Sequence, residues 1–192
     1  MLEKIKKLRE ITGSGVVEIK KALEKAGGDE EQAMKILRKK GQEKAVKKAQ
    51  RSTQEGVVVS YVHSNNRVGA LVKLLCETDF VARNDEFKNL ARDIAMHITA
   101  MNPLCLKPEE VDEKIVNEEK KIWEEQLKEE KKPENLISEI LKGKEKKFRQ
   151  ELALLTQPFV KNPEQTVGEL IAEKIGKIGE NIQVGEFSRL EL

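Results

Sequence analysis

Long apolar runs are absent from this chain of 192 residues. No stretch approaches the ~18 residues that a bilayer-spanning helix needs, so no membrane is expected among its partners. Aromatic residues make up only 4%, too few to interleave as stacking platforms for bases, and no direct nucleic-acid contact is expected from them. Cysteine is equally scarce. Cys76 and Cys105 are the only two, which excludes a disulfide scaffold in a chain of this length. With His63 and His97 they offer four soft ligands, yet no pair has CxxC, HxxxH or CxH spacing, which argues against a zinc site. Cys76 ends an apolar strand-like run and reads as a buried free thiol. The first residues, MLEKIKKLREI, carry neither an h-region nor a small-residue cleavage site. They suggest a cytoplasmic protein, or an organellar form without its transit peptide.

What the chain does have is charge. Asp, Glu, Lys and Arg make up 36% against 38% apolar residues, and the net charge is +2. That charge is unevenly spread: residues 1–52 hold 15 basic and 8 acidic side chains, and the remainder 21 and 26. A basic N-terminal segment suits a negatively charged partner, either nucleic acid or an acidic protein face. An ordinary solvated helix surface fits the same numbers.

Residues 1–50 read as three short helices. Leu2, Ile5 and Leu8 mark the first, which stops near Thr12-Gly13; Val16, Ile19 and Leu23 mark the second. Gly27-Gly28 ends it, and Asp29 with Gln32 opens a third helix facing Ala33, Ile36 and Leu37 inward. The pattern fits a compact three-helix module of the ubiquitin-associated type. Residues 51–55 are polar and read as a linker to a second domain over 56–192. There the period changes: 56–62 and 68–76 are β-branched runs around a hairpin turn. Asn84 is positioned to cap a helix bearing Phe87, Leu90, Ile94 and Ile98, which Asn102-Pro103 ends. Residues of about 108–148 are dense in Lys and Glu. Val111, Ile115, Ile122, Leu127, Leu136, Ile140 and Leu141 fall at helical spacings, and Pro133 divides two halves of a helical hairpin. Trp123 is placed at its seam. A third strand is expected at about 150–156, then a loop at 157–159, a helix from Thr166, and a closing strand whose alternation slips at Gly185, indicating a bulge. The fold class is α+β: a small antiparallel sheet covered by helices, with the N-terminal module and the hairpin attached.

No catalytic constellation emerges. Gly13-Ser14-Gly15 lacks the GK[ST] of a phosphate loop and follows a helix. The segment GKIGEN at 176–181 leads into a strand and reads as a helix stop. There is no GxSxG elbow, and the carboxylates lie on amphipathic helices, where solvation is their default role. The chain is not expected to be an enzyme or to hold a metal or cofactor of its own.

One segment resists a purely structural account: Thr78-Asp79-Phe80-Val81-Ala82-Arg83-Asn84. It follows a buried strand and precedes a helix, so an exposed loop is expected. Phe80 either folds back onto the core or stands out as an apolar wedge between charges. TDFVARN is similar to the signature of the elongation factor Ts family. LREITGSGVVEIKKALEKAGGDEEQAMKILRKKG (8–41) resembles that family's N-terminal module. The blocks SYVHSNNRVGALV, AMHITAMNP (95–103) and LLTQPFVKNPEQTVGELI (154–171) also match, in order across essentially the whole chain.

The resemblance implies a translation factor that binds elongation factor Tu, in its GDP-bound and nucleotide-free forms, and releases GDP by disturbing the Mg²⁺/phosphate site. It implies that Asp79 and Phe80 intrude, within the segment Thr78 to Val81, and that Arg9, Val16 and Val17 grip a second helix of the GTPase. Many members carry Met-Met where this chain has Val16-Val17, a smaller and stiffer apolar pair. His63 matches a hairpin histidine that contacts the partner in some members. Longer members hold two copies of the sheet-and-helix unit; with room for one, this chain is expected to pair as a homodimer through its sheet. The rival readings are a protein-binding adaptor built on the first 50 residues and a ribosome- or RNA-associated protein using their positive charge. The second should weaken steeply with salt.

Overall fold

The computed structural model describes residues 1–130 and 132–192. It is an α+β protein of two compact units, one formed by Met1–Met96 with Glu169–Leu192 and the other by His97–Gly168.

The first unit begins with three helices, α1 (Leu2–Thr12), α2 (Val16–Lys25) and α3 (Glu30–Lys48). Their apolar stripes meet in one cluster of Ile5, Leu8, Ile19, Ala22, Leu23, Ala33 and Leu37, all buried. The break after α1 depends on Gly13, whose φ of 63° lies in the left-handed region, and whose N–H caps the Arg9 carbonyl. Only glycine adopts that conformation without steric cost. A Cβ there would also overlap the Lys177 side-chain stem. Asp29 caps α3 by accepting from the Gln32 N–H at 3.0 Å, as the spacing of the two residues suggests. The ion pairs Lys7–Glu30 at 2.6 Å and Lys44–Glu18 at 2.9 Å cross between helices at the surface.

A three-stranded antiparallel sheet follows, with β2 (Val68–Cys76) between β1 (Glu55–Val62) and β5 (Gln183–Glu191). Alternation along β2 is strict where it matters: Ala70, Val72, Leu74 and Cys76 are buried on one face, while Leu71 and Lys73 are exposed on the other. The expected bulge is present. Lys73 pairs with Glu186 and Leu74 with Val184, so Gly185 is the extra residue of β5. Two helices, α5 (Asp85–Met101) and α8 (Val167–Ile178), contribute buried Phe87, Leu90, Ala91 and Ile94 and buried Leu170, Ile171 and Ile175 respectively. Asn84 supports the start of α5, its Oδ1 accepting from the Glu86 N–H at 2.7 Å.

The second unit contains the helical hairpin α6 (Glu113–Glu129) and α7 (Glu134–Leu152). Its antiparallel seam is carried by Trp123 against Phe148, edge to face at 5.5 Å between ring centroids. Val116 and Leu127 are buried on the same helix face as Trp123. Ile115, Ile122 and Leu136, which also fall at helical spacings, are exposed. Ile115 and Ile122 each precede a seam residue by one position, and one residue on a helix turns a side chain by about 100°.

The strand expected at 150–156 does not form. Helix α7 runs to Leu152, a 3-10 turn spans Leu154–Thr156, and Ala153 makes a single parallel bridge to Cys105. The expected loop at 157–159 instead contributes β3 (Pro158–Phe159), which pairs with β4 (Asn162–Thr166). The buried His97 organises this hairpin. Its Nδ1 accepts from the Val160 N–H at 3.2 Å, which puts the ring proton on Nε2, 3.0 Å from Gln157 Oε1. Burial holds the imidazole below the usual histidine range, outweighing the Gln157 hydrogen bond that raises it.

Candidate functional site

Thr78 to Asn84 is not the loop its composition suggests. Asp79–Arg83 forms a one-turn helix, α4, directly after β2. Thr78 makes this possible as the N-cap, its Oγ1 accepting from the Val81 N–H at 3.4 Å. The turn places its residues unequally. Ala82 is buried and Val81 half-buried, whereas Phe80 is 80% exposed. Of the two arrangements open to Phe80, the structure has the projecting one. Asp79 pairs with Arg83 one turn on, at 3.0 Å. Such exposed pairs contribute little to stability.

Thr78 is held from several sides. Its N–H and that of Glu77 both donate to Glu180 Oε2, at 3.0 and 3.1 Å. Its hydroxyl donates to Glu180 Oε1 at 2.7 Å, and its carbonyl accepts from the Cys76 thiol at 3.2 Å. Burial pushes that thiol up to about 11, with the Glu180 charge adding to the effect. Cys76 is thus protonated and a donor at neutral pH, a packed thiol with no nucleophilic character.

The other residues singled out from sequence lie elsewhere on the first unit. Arg9 sits exposed in the last turn of α1. Val16 and Val17 open α2 and remain 45% and 67% exposed. The Gly13 turn brings the end of α1 and the start of α2 together, so these three side chains flank one helix junction. His63 is exposed at the β1–β2 turn, its Nδ1 3.4 Å from the Tyr61 hydroxyl. No cluster of metal-ligating side chains occurs among the described residues, and none of their helices is long and apolar enough to cross a membrane.

Sequence reading passed over Glu180, which lies 102 residues from Thr78. The only local sign is the pair Gly179-Glu180 after α8. Gly179, at φ 91°, ends the helix with its N–H on the Ile175 carbonyl and turns the chain so that Glu180 faces back to Thr78.

The outer face of the sheet is a third exposed feature. Val58, Val62, Leu71 and Leu190 are solvent-exposed there, Leu190 by 75%. The register sets Ser60, Leu71 and Ser188 in one row and Val62, Gly69 and Leu190 in the next. A shallow groove of about 560 Å³ runs along this face, lined by Val62, Leu71, Leu190 and Leu192.

Comparison with known proteins gives a consistent picture. Residues 4–192 match the family model described as Elongation factor TS. A protein of Rubrobacter xylanophilus named Elongation factor Ts is 51% identical over 191 residues, covering 100% of this chain and 98% of the relative. One from Thermotoga petrophila is 48% identical, covering 100% and 95%. A third, from Carboxydothermus hydrogenoformans, is 50% identical over 188 residues, covering 98% and 87%. Both bear the same name.

Proposed function

The chain belongs to the elongation factor Ts family of translation elongation factors, and we propose that it is the guanine-nucleotide exchange factor for elongation factor Tu. The single observation that carries this reading is Phe80, an aromatic ring 80% exposed on a turn whose backbone is hydrogen-bonded on both sides. An apolar ring held in water gains free energy only when a partner covers it.

In this reading Thr78 to Val81 enters the GTPase beside its nucleotide site. Mg²⁺ bridges the nucleotide phosphates to the GTPase, and displacing it leaves the diphosphate poorly neutralised, so GDP dissociates. Asp79 brings a negative charge toward that site and Phe80 wedges into the apolar packing behind it. Arg9, Val16 and Val17 form a second grip, and His63 a third contact. The linkage is reciprocal: a factor that weakens GDP binding is itself bound more weakly by the GDP form, by the same ratio. No covalent chemistry is needed. In this reading the N-terminal helices, residues 1–50, are the partner-gripping module, and 51–55 link them to the core over 56–192.

The exposed sheet face supports pairing of two chains. Val62, Leu71 and Leu190 form a contiguous apolar patch that a second copy, related by a twofold axis, covers with the same residues. The mass in solution is then about 44 kDa, twice the 21.8 kDa of one chain.

The test of function is release of fluorescent GDP from elongation factor Tu. Substoichiometric protein should accelerate release catalytically. Absence of acceleration with a partner from the same source would overturn the reading.

A further inference from the structure

We propose that Glu180 is a positioning residue for nucleotide exchange: its carboxylate fixes the backbone from which Phe80 projects. This rests on the reading of Thr78 to Val81 as the segment that enters the partner. A five-residue helix cannot hold itself, since isolated helices are marginal even at 12–15 residues. Something outside α4 must keep it wound.

The carboxylate of Glu180 is that support. It accepts from three donors, the N–H groups of Glu77 and Thr78 and the Thr78 hydroxyl, at 3.1, 3.0 and 2.7 Å. An ionised carboxylate accepts only, so it meets three converging donors without conflict, and its hydrogen bonds are the strong charge-assisted kind. With its proton committed to Glu180, the Thr78 oxygen turns its lone pair to the Val81 N–H. The chain Glu180–Thr78–Val81 therefore runs under the Phe80 position. Glu77 returns the contact, its Oε1 accepting from the Asn181 N–H at 2.6 Å.

The same segment reaches the linker behind the N-terminal helices. Asn181, 1% exposed, donates from Nδ2 to the Arg51 carbonyl at 2.8 Å and to that of Ala49 at 3.4 Å. Gln183 Nε2 donates to the Ala49 carbonyl at 3.1 Å, Lys48 donates to the Gly179 carbonyl, and Arg51 pairs with Glu77 at 3.5 Å. Residues 179–183 thus brace both proposed contact elements. Glu180 serves the exchange turn, and Asn181 serves the linker. Holding Phe80 in its binding geometry beforehand lowers the ordering cost met on entry into the partner.

The experiment measures fluorescent GDP release from elongation factor Tu against rising concentrations of the whole protein, for wild type, Glu180→Ala, Glu180→Gln and Asn181→Ala. Amide hydrogen exchange on the free proteins accompanies it. Glu180→Ala should lower the maximal release rate about ten-fold or more, with a much smaller change in half-saturating concentration, because Arg9, Val16 and Val17 are untouched. Glu180→Gln should recover most of the rate, since its one oxygen can accept the two backbone N–H groups while the Thr78 hydroxyl reverses to accept from the amide. Asn181→Ala should keep the maximal rate and raise the half-saturating concentration. In Glu180→Ala the Glu77 and Thr78 amides should exchange faster while Val72 and Leu74 of β2 stay protected. A wild-type maximal rate in Glu180→Ala overturns the proposal, and so does a rate loss accompanied by lost protection across β2. If the wild type itself fails to release GDP, the functional reading fails instead, and the amide exchange still decides whether Glu180 holds the turn.

Discussion

Replacing Phe80 with alanine separates partner binding from folding. In the free protein the ring is 80% exposed, so its removal opens no cavity. Stability should move by no more than about 0.5 kcal/mol, as for other surface substitutions. Alanine is also the better helix former, so α4 should persist. In the complex the same ring is covered. Full burial of a Phe contributes roughly 1.5–3 kcal/mol, and four-fifths of it remains to be gained, or about 1.2–2.4 kcal/mol. At 1.4 kcal/mol per factor of ten, that amounts to about 7- to 50-fold in the efficiency of exchange. The assay is stopped-flow release of fluorescent GDP from elongation factor Tu, read as the initial slope of rate against factor concentration, with thermal unfolding as control. Phe80→Leu, which keeps much of the apolar area, should fall between the two. An undiminished slope in Phe80→Ala, with unfolding unchanged, would refute the wedge.

Three further outcomes follow from the same structure. His97 is buried neutral with its pKa lowered, so the stability it supports is fully present above the unfolded value of about 6.5. That stability is lost as pH falls from there through the folded value; urea midpoints should drop as pH falls below about 6.5 in the wild type, and less in His97→Gln. Gly13→Ala forces φ 63° on a residue with a Cβ, at a cost of about 1–2 kcal/mol before the overlap with Lys177 is counted; chemical denaturation should show a lower midpoint. Leu190→Glu places a charge in the apolar sheet face, and sedimentation should shift from about 44 kDa toward the 21.8 kDa of one chain, whereas a wild type already at that mass would remove the dimer from the reading.

Periodicity made the long elements legible. The Phe87–Leu90–Ile94 stripe and the apolar run of β2 each stand out within a dozen residues or fewer, and the helix and the strand are both present. The Gly185 slip was legible for the same reason: Val184 and Phe187 are three apart, and both are partly buried. Where the pattern was short, it misled. Residues 150–156 contain an apolar run that fits a strand or a buried helix end equally well, and the chain uses it to end α7 and enter a 3-10 turn. In the hairpin, Trp123 was legible as a seam residue, but helical spacing alone did not separate Ile115 and Ile122 from Leu127. The seam follows Val116, Trp123 and Leu127, because an aromatic pair between facing helices sets the rotation. At the candidate site the exposed Phe was visible as an anomaly, but its helical setting was not. The helix is only five residues long, and the carboxylate that holds its start comes from the far end of the chain.

The extra residue in β5 behaves like a phase marker. Upstream of it Val184 faces the same side as Leu74; downstream Phe187 and Arg189 face the same side as Val72 and Ala70. Side chains alternate with a period of two, so loss of Gly185 alone would make Val184 and Glu186 consecutive opposite Leu74 and Lys73, a regular ladder in which Phe187 and Arg189 still face inward. Loss of Glu186 as well would send Phe187 and Arg189 outward and bring Ser188 and Leu190 in. The bulge therefore gives this strand one residue of slack: deletion of Gly185 should be tolerated far better than deletion of Gly185 and Glu186 together, and the two variants scored for soluble expression would read out that alternation directly.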